Sequence, residues 1–165
     1  DILPDGNLDY DEEILKEFDF VIIAIHSNFN MSEKQMTERI IKAMQNKFAT
    51  MLAHPTGRLL LTRDPYSVDI IDIIDAASEY GVDLEINSSP FRLDLDWRAC
   101  KYAKERKVKM AINPDAHSLE GLYEYKFGIN VARKGWLEKK DVINTFNTEE
   151  LENYFKDKKI KKSKL

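Results

Sequence analysis

The residues of this sequence that could do chemistry are few, and they fall in a pattern. The chain has 3 histidines, each just past a short apolar run: His26 after Phe20 to Ile25 (FVIIAI), His54 after Phe48 to Ala53 (FATMLA), and His117 beyond Val108 to Asn113 (VKMAIN). If those runs are parallel strands, all three imidazoles stand at carboxyl ends, the edge where α/β folds gather ligands and catalytic groups. One histidine there is most simply structural, whereas three of three at one edge point to a site. Asp115 precedes His117 by two positions, which in an extended segment puts carboxylate and imidazole on the same side. Neutral imidazoles with a carboxylate suit Zn, Mn or Fe, and such an ion brings the pKa of a bound water toward neutrality. His26, His54, Asp115 and His117 are therefore the candidate metal ligands, with Asp115 and His117 the candidate catalytic pair.

Two further stretches carry groups that recognise oxyanions. His54-Pro-Thr-Gly-Arg sets the hydroxyl of Thr56, a flexible Gly57 and the guanidinium of Arg58 beside a candidate ligand. An arginine grips a phosphate through two parallel hydrogen bonds. Thr56 and Arg58 are thus the candidate substrate-binding residues, the alternative for Arg58 being a structural salt bridge to a neighbouring carboxylate. Glu85, Asn87, Arg92 and Asp94 close a further apolar run and its loop (EINSSPFRLDL). Glu85 faces either the site or a neighbouring helix, and the sequence alone leaves both open.

Positioning these residues requires strands that alternate with helices. Val82 to Asn87 is the fourth apolar run, and the four read as buried strands. Between them, Ser32 with Gln35 forms a capping-box pattern ahead of an apolar face of Met36, Ile40, Ala43 and Met44. Ser67 to Tyr80 repeats the pattern with Gly81 as its stop, and Asp96 caps a third helix running to about Lys107. Such alternation predicts parallel strands joined by crossover helices, an α/β layered fold or a barrel. A full eight-unit barrel takes on the order of 250 residues. The 165 residues here supply too few units to close one. Ile2 and Leu3 resemble the tail of a strand already under way, so the sequence is expected to start mid-fold.

Composition narrows the function classes. With 43% hydrophobic and 33% charged residues the chain reads as one globular domain, and its single Cys100 forms no internal disulfide. Lys and Arg number 25 against 29 Asp and Glu, net −4, so the overall field is not that of a dedicated nucleic-acid binder and any such contact is local. No apolar run approaches the roughly 20 residues of a membrane span, and the start is acidic rather than a basic signal peptide. A cytoplasmic protein with no membrane partner is expected. Six lysines between Lys156 and Lys164 make a basic tail, expected to be a solvated helix end, the alternative being a contact with a phosphate backbone.

Taken in order, VIIAIHSNF, LAHPTGRLL, LEINSSPFRLDL, INPDAHS and GINVARKGWLEKKDVINT resemble the PHP (polymerase and histidinol phosphatase) domain, most nearly the C-terminal PHP domain of bacterial and archaeal family X DNA polymerases. The likeness runs from Asp1 to about Leu151. It implies the C-terminal part of a distorted seven-unit (β/α) barrel over residues 1–155, with 156–165 as a Lys-rich tail and up to three divalent metal ions at the strand carboxyl ends. It also implies a phosphoesterase, in the polymerase branch a 3′-5′ exonuclease and 3′-phosphatase acting on DNA 3′ ends, with a polymerase domain upstream in the parent protein. By position, His26 and His54 match histidines that share one metal, Asp115 the aspartate on a second, and His117 the histidine on a third. The departures matter. The family's His-x-His motif, the Asp and His after it and the bridging Glu are not in this sequence, and Pro114 stands where Thr is usual, removing an N–H donor beside Asp115. So partial a ligand set implies at most one weakly held ion and little activity from this polypeptide alone. Two other readings use the same residues: a non-catalytic truncated scaffold or DNA-contacting module, and a small-molecule phosphatase like histidinol phosphatase.

Overall fold

In the computed structural model, residues 1–164 are described, so Leu165 of the basic tail lies outside the described residues. After a single helical turn, α1 (Glu12–Leu15), four strands form: β1 (Val21–Ile23), β2 (Ala49–Leu52), β3 (Asp83–Asn87) and β4 (Met110–Asn113). All pair in parallel in the order β1-β2-β3-β4. Each lies inside one of the four apolar runs of the sequence. The crossovers between them carry α2 (Glu33–Met44), α3 (Ile70–Tyr80) and α4 (Trp97–Glu105). Right-handed crossovers that always advance in one direction leave the three crossover helices on the same face of the sheet, as in a barrel wall. The four units are consistent with part of a (β/α) barrel.

Local signals set the helix ends. Ser32 Oγ accepts the Gln35 N–H at 3.3 Å while Gln35 Oε1 accepts the Ser32 N–H at 3.1 Å, completing the capping box of α2. The third helix starts later than Ser67, because Asp69 supplies the cap: its Oδ1 accepts from Ile71 and Asp72. Gly81, at φ +64°, ends that helix in the left-handed conformation. Asp96 caps α4 as its position in the sequence indicates.

Two cores result, one on each face. On the helix side, Ile23, Leu52, Leu84 and Met110 pack among Met36, Ile40, Ile74 and Cys100. α5 (Tyr125–Lys134) joins this layer so closely that a Cβ at Gly128 would lie 2.6 Å from both Ile112 Cγ2 and Ser88 Cβ. On the opposite face, Met51, Ala111 and Ile143 form a smaller core with Leu151, Tyr154 and Phe155 of α6 (Thr148–Lys162).

Here the structure departs from the expected solvated tail. Lys158 and Lys162 continue the inward face of α6. Lys158 Nζ lies 2.5 Å from Asp83 Oδ1, and Lys162 Nζ donates to Met44 O at 3.0 Å and Tyr80 O at 2.8 Å, the last carbonyls of α2 and α3. A lysine at two helix C-termini satisfies carbonyls that have no partner within their own helices. Burial pushes the Lys162 amine down to about 8. The unfolded chain keeps that proton to about pH 10.4. Between those values the unfolded state binds more protons, so the contribution of this group to stability rises with pH. Thermal melts at pH 7.5 and pH 10 are expected to show Lys162→Met gaining less over that interval than wild type, by on the order of 2 kcal/mol.

The two sheet edges differ. Beyond β4, Asn144 bridges the open backbone: its Oδ1 accepts the Ile112 N–H at 2.7 Å and its Nδ2 donates to Ile112 O at 3.1 Å. Beyond β1 no further strand pairs among the described residues. Phe18, Phe20 and Ile22 stay exposed there, around an open hollow of about 430 Å³. At the top of this edge the Ile2 N–H donates to Ala24 O at 2.9 Å. No helix among the described residues is long and apolar enough to cross a membrane.

Candidate functional site

The carboxyl ends of the strands open onto one cleft of about 550 Å³. His26, His54, Glu85, Asn113 and Asp115 line its polar end, and Ile22, Met51, Ala111 and Phe155 line its apolar floor. Three of the four candidate ligands thus meet in one place.

His54 sits just past β2 with φ +32°, a left-handed backbone uncommon for a residue with a side chain. Its N–H donates to Glu85 Oε2 at 2.8 Å, and its ring stands edge-on to His26, with 5.2 Å between centroids. Burial, reinforced by the charge of Arg92, pushes the His54 imidazole down to about 4, so it is neutral near pH 7. Its Nδ1 is buried with no hydrogen-bond partner. His26 is more exposed, with Nδ1 3.3 Å from Asp1 Oδ1, and burial lowers its pKa too.

Asp115 brings its Oδ2 to 3.5 Å from Asn87 Nδ2 and 3.8 Å from Arg92 Nε. The extended Asp-Ala-His geometry expected from spacing is not what forms. Asp115 has φ +56°, which reverses the chain at that point. His117 therefore turns back on its own segment, with Nδ1 2.6 Å from Asp115 O, and stays exposed outside the cleft lining.

The His54-Pro-Thr-Gly-Arg turn is held from the β3 side. Asp94 is fully buried, and its Oδ2 accepts the N–H groups of Thr56 at 2.9 Å and Gly57 at 3.0 Å. Arg58 donates from Nε to Arg92 O at 2.8 Å and from Nη2 to Leu93 O. Its guanidinium is thus engaged by loop carbonyls, and Arg92 is the arginine that reaches Asp115. Gly57 has φ +62°, and a Cβ there would lie 2.7 Å from Cδ1 of the buried Tyr66 ring. Gly57→Ala is expected to lower stability by about 2 kcal/mol in denaturant unfolding, through backbone strain and overpacking together.

Glu85, Asn87 and Asn113, to which the sequence alone gives no definite role, tie the site together. Asn87 pairs in register with Asn113 and Glu85 with Ala111, so Glu85 and Asn87 share the cleft face with Asn113. Polar residues two apart on otherwise apolar strands were the available signal.

These residues fit a divalent cation as part of a larger set. Neutral paired imidazoles, an orphaned ring nitrogen on His54 and a carboxylate on the next strands are suitable donors. Among the described residues, however, no three His, Cys, Asp or Glu side chains come close enough to enclose an ion by themselves.

A DNA polymerase/3′-5′ exonuclease, PolX, from Bacillus subtilis is 44% identical over 156 residues, which cover 94% of this chain and 27% of that protein. Nearly the whole chain is similar to part of PolX. A probable phosphatase from Thermoanaerobacter sp. is 32% identical over 166 residues, covering 95% of this chain and 65% of the relative. One from Caldanaerobacter subterraneus is 29% identical, covering 94% and 62%. The chain therefore spans about a quarter of PolX and somewhat less than two thirds of the phosphatases. No family profile matches it.

Proposed function

We propose that the chain is the C-terminal part of a PHP-type, metal-dependent phosphoesterase domain, which in the intact protein follows a polymerase domain and cleaves phosphoesters at DNA 3′ ends. The observation that carries this reading is the His54 ring, its buried Nδ1 without a hydrogen-bond partner, set beside His26 in the cleft that Asp115 also lines. The 44% identity to a polymerase and 3′-5′ exonuclease supports it.

His26 and His54 would together contribute to holding one Zn, Mn or Fe ion and Asp115 to holding another, each set completed by ligands from outside this sequence, with His117 outside the cleft lining as the structure has it. Such an ion supplies Lewis acidity toward a phosphoryl oxygen and a water nucleophile at neutral pH. Arg92 places a positive charge beside Asp115, where a phosphate would sit. Arg58, holding the carbonyls of Arg92 and Leu93, fixes the loop that carries that charge. Thr56 stays with the His54 turn, its N–H committed to Asp94. Asn87 orients Asp115 and, with Asn113, holds Glu85.

The test is release of phosphate from a 3′-phosphorylated oligonucleotide with added Mn, comparing the intact protein, its Asp115→Ala and His117→Ala forms, and this chain alone. Turnover is expected from the intact protein and little from the chain. An unaffected Asp115→Ala form would overturn the site, and an inactive intact protein would favour the scaffold reading. The relatives named as probable phosphatases support a phosphatase activity, and a second reading makes that activity one on small molecules. Preference for histidinol phosphate over the oligonucleotide would select it.

A further inference from the structure

Glu85 is a buried carboxylate whose contacts are hydrogen-bond donors from three strand ends. Oε2 accepts the His54 N–H at 2.8 Å and Asn87 Nδ2 at 3.3 Å, and Oε1 accepts Asn113 Nδ2 at 3.1 Å. Packing does not require a charge here: its register partner on β4 is Ala111, and an uncharged side chain would avoid the penalty of burying a carboxylate. What the carboxylate provides is strong acceptors at a place where the backbone is held in an uncommon conformation. His54 is left-handed, and without a fixed partner for its N–H that turn would relax toward negative φ and carry the imidazole away from His26. Asp94 grips the same turn two and three residues further on, through the N–H groups of Thr56 and Gly57. The segment that presents His54 is therefore clasped along its backbone by two buried carboxylates, both supplied by β3 and its loop.

We propose that Glu85 is a positioning residue: by accepting the His54 N–H it fixes the imidazole beside His26, and it does so without itself ligating the ion. Its consequence for metal affinity rests on the metal-site reading above. Partners that orient ligands typically change metal affinity 10–100-fold when removed. Two replacements separate the roles. Glu85→Met keeps much of the volume and removes the acceptors, whereas Glu85→Gln keeps an acceptor for the His54 N–H and removes the charge.

The experiment uses the intact protein, freed of metal, with two readouts: hydrogen–deuterium exchange of the peptide covering residues 49–57, and zinc titration by calorimetry. Glu85→Met is expected to exchange faster in that peptide and to bind zinc about tenfold or more weakly. Glu85→Gln is expected to hold both within about threefold of wild type. If Glu85→Met keeps wild-type exchange and affinity, the proposal is overturned. If Glu85→Gln loses zinc as severely as Glu85→Met, the carboxylate is a ligand in its own right and the positioning role is wrong. A wild type that binds no zinc defeats the metal-site reading instead, and the positioning role then stands or falls on exchange in Glu85→Met. Should Glu85→Met fail to fold, Glu85→Gln decides alone, supporting the proposal if zinc affinity holds within threefold and overturning it if not.

Discussion

Asp115→Ala in the intact protein is expected to lower Mn-dependent phosphate release from a 3′-phosphorylated oligonucleotide by at least about 100-fold, since even groups that only orient metal ligands change affinity or activity 10–100-fold. Asp115 is the one carboxylate of the cleft that stays partly open to solvent, between Asn87 and Arg92, whereas Glu85 is closed in by three donors. A control is needed because Asp115 has a positive φ, where alanine is strained whatever the chemistry. Asp115→Asn supplies it. Asparagine tolerates left-handed backbone and can still meet Asn87, so it removes charge and little else. The site assignment requires Asp115→Asn to fall nearly as far as Asp115→Ala while thermal melts of the Asn form stay near wild type. Activity retained in Asp115→Asn would mean that the carboxylate holds no ion.

The parts of this molecule legible in its sequence are those where one local rule acts alone. β2 and β3 are legible as apolar runs because both of their faces are covered, and the caps at Ser32, Asp96 and Gly81 because capping is chemistry within a few residues. The start of α3 is less legible, because Ser67 and Asp69 are both of cap-forming type and lie two residues apart; in the structure Asp69 makes the cap, and its own N–H is fixed by Thr37 Oγ1 at 2.9 Å. At the site, the strand-end rule puts His26 and His54 just past two neighbouring strands, where the structure has both lining one cleft. The link between Asp115 and His117 failed because spacing of two assumes an extended backbone, and a single left-handed residue breaks that assumption. Arg58 and Arg92 were indistinguishable by type. Which one reaches Asp115 depends on the loop after β2 lying against the loop after β3, a contact between residues some 34 apart. The inward face of α6 was hidden for another reason. Its stripe of Leu151, Tyr154, Phe155, Lys158 and Lys162 has helical spacing, but its last two members are lysines, which a hydrophobicity pattern assigns to solvent.

The first of those lysines, Lys158, ties α6 to one buried carboxylate, and Asp83→Ala is expected to destabilise the chain by about 3–5 kcal/mol. Asp83 is 2% exposed and its Oδ1 receives both Lys158 Nζ at 2.5 Å and the Tyr154 hydroxyl at 2.7 Å. Burial raises the pKa of Asp83 and lowers that of Lys158, so each is ionised at a desolvation penalty that the other offsets, helped at Asp83 by the Tyr154 hydroxyl. Removing Asp83 leaves the Lys158 ammonium in the interior with only the Thr50 carbonyl, at 3.5 Å, and the Tyr154 phenol without its acceptor. Because small domains are stable by only about 5–15 kcal/mol, such a loss is enough to undock α6 from Met51, Ala111 and Ile143. Replacing both charges together should behave differently: Asp83→Leu with Lys158→Met is expected to recover most of the loss, since a buried pair exchanged for apolar groups is often neutral or stabilising. Urea midpoints of the single and double variants measure this directly, with limited proteolysis reporting whether α6 is released. The outcome reaches the site, because Leu151 and Phe155 of α6 line the cleft below His26 and His54. Asp83→Ala should therefore open the cleft from beneath while leaving every candidate ligand in its strand, and a single variant as stable as wild type would mean that α6 is held by its apolar face alone.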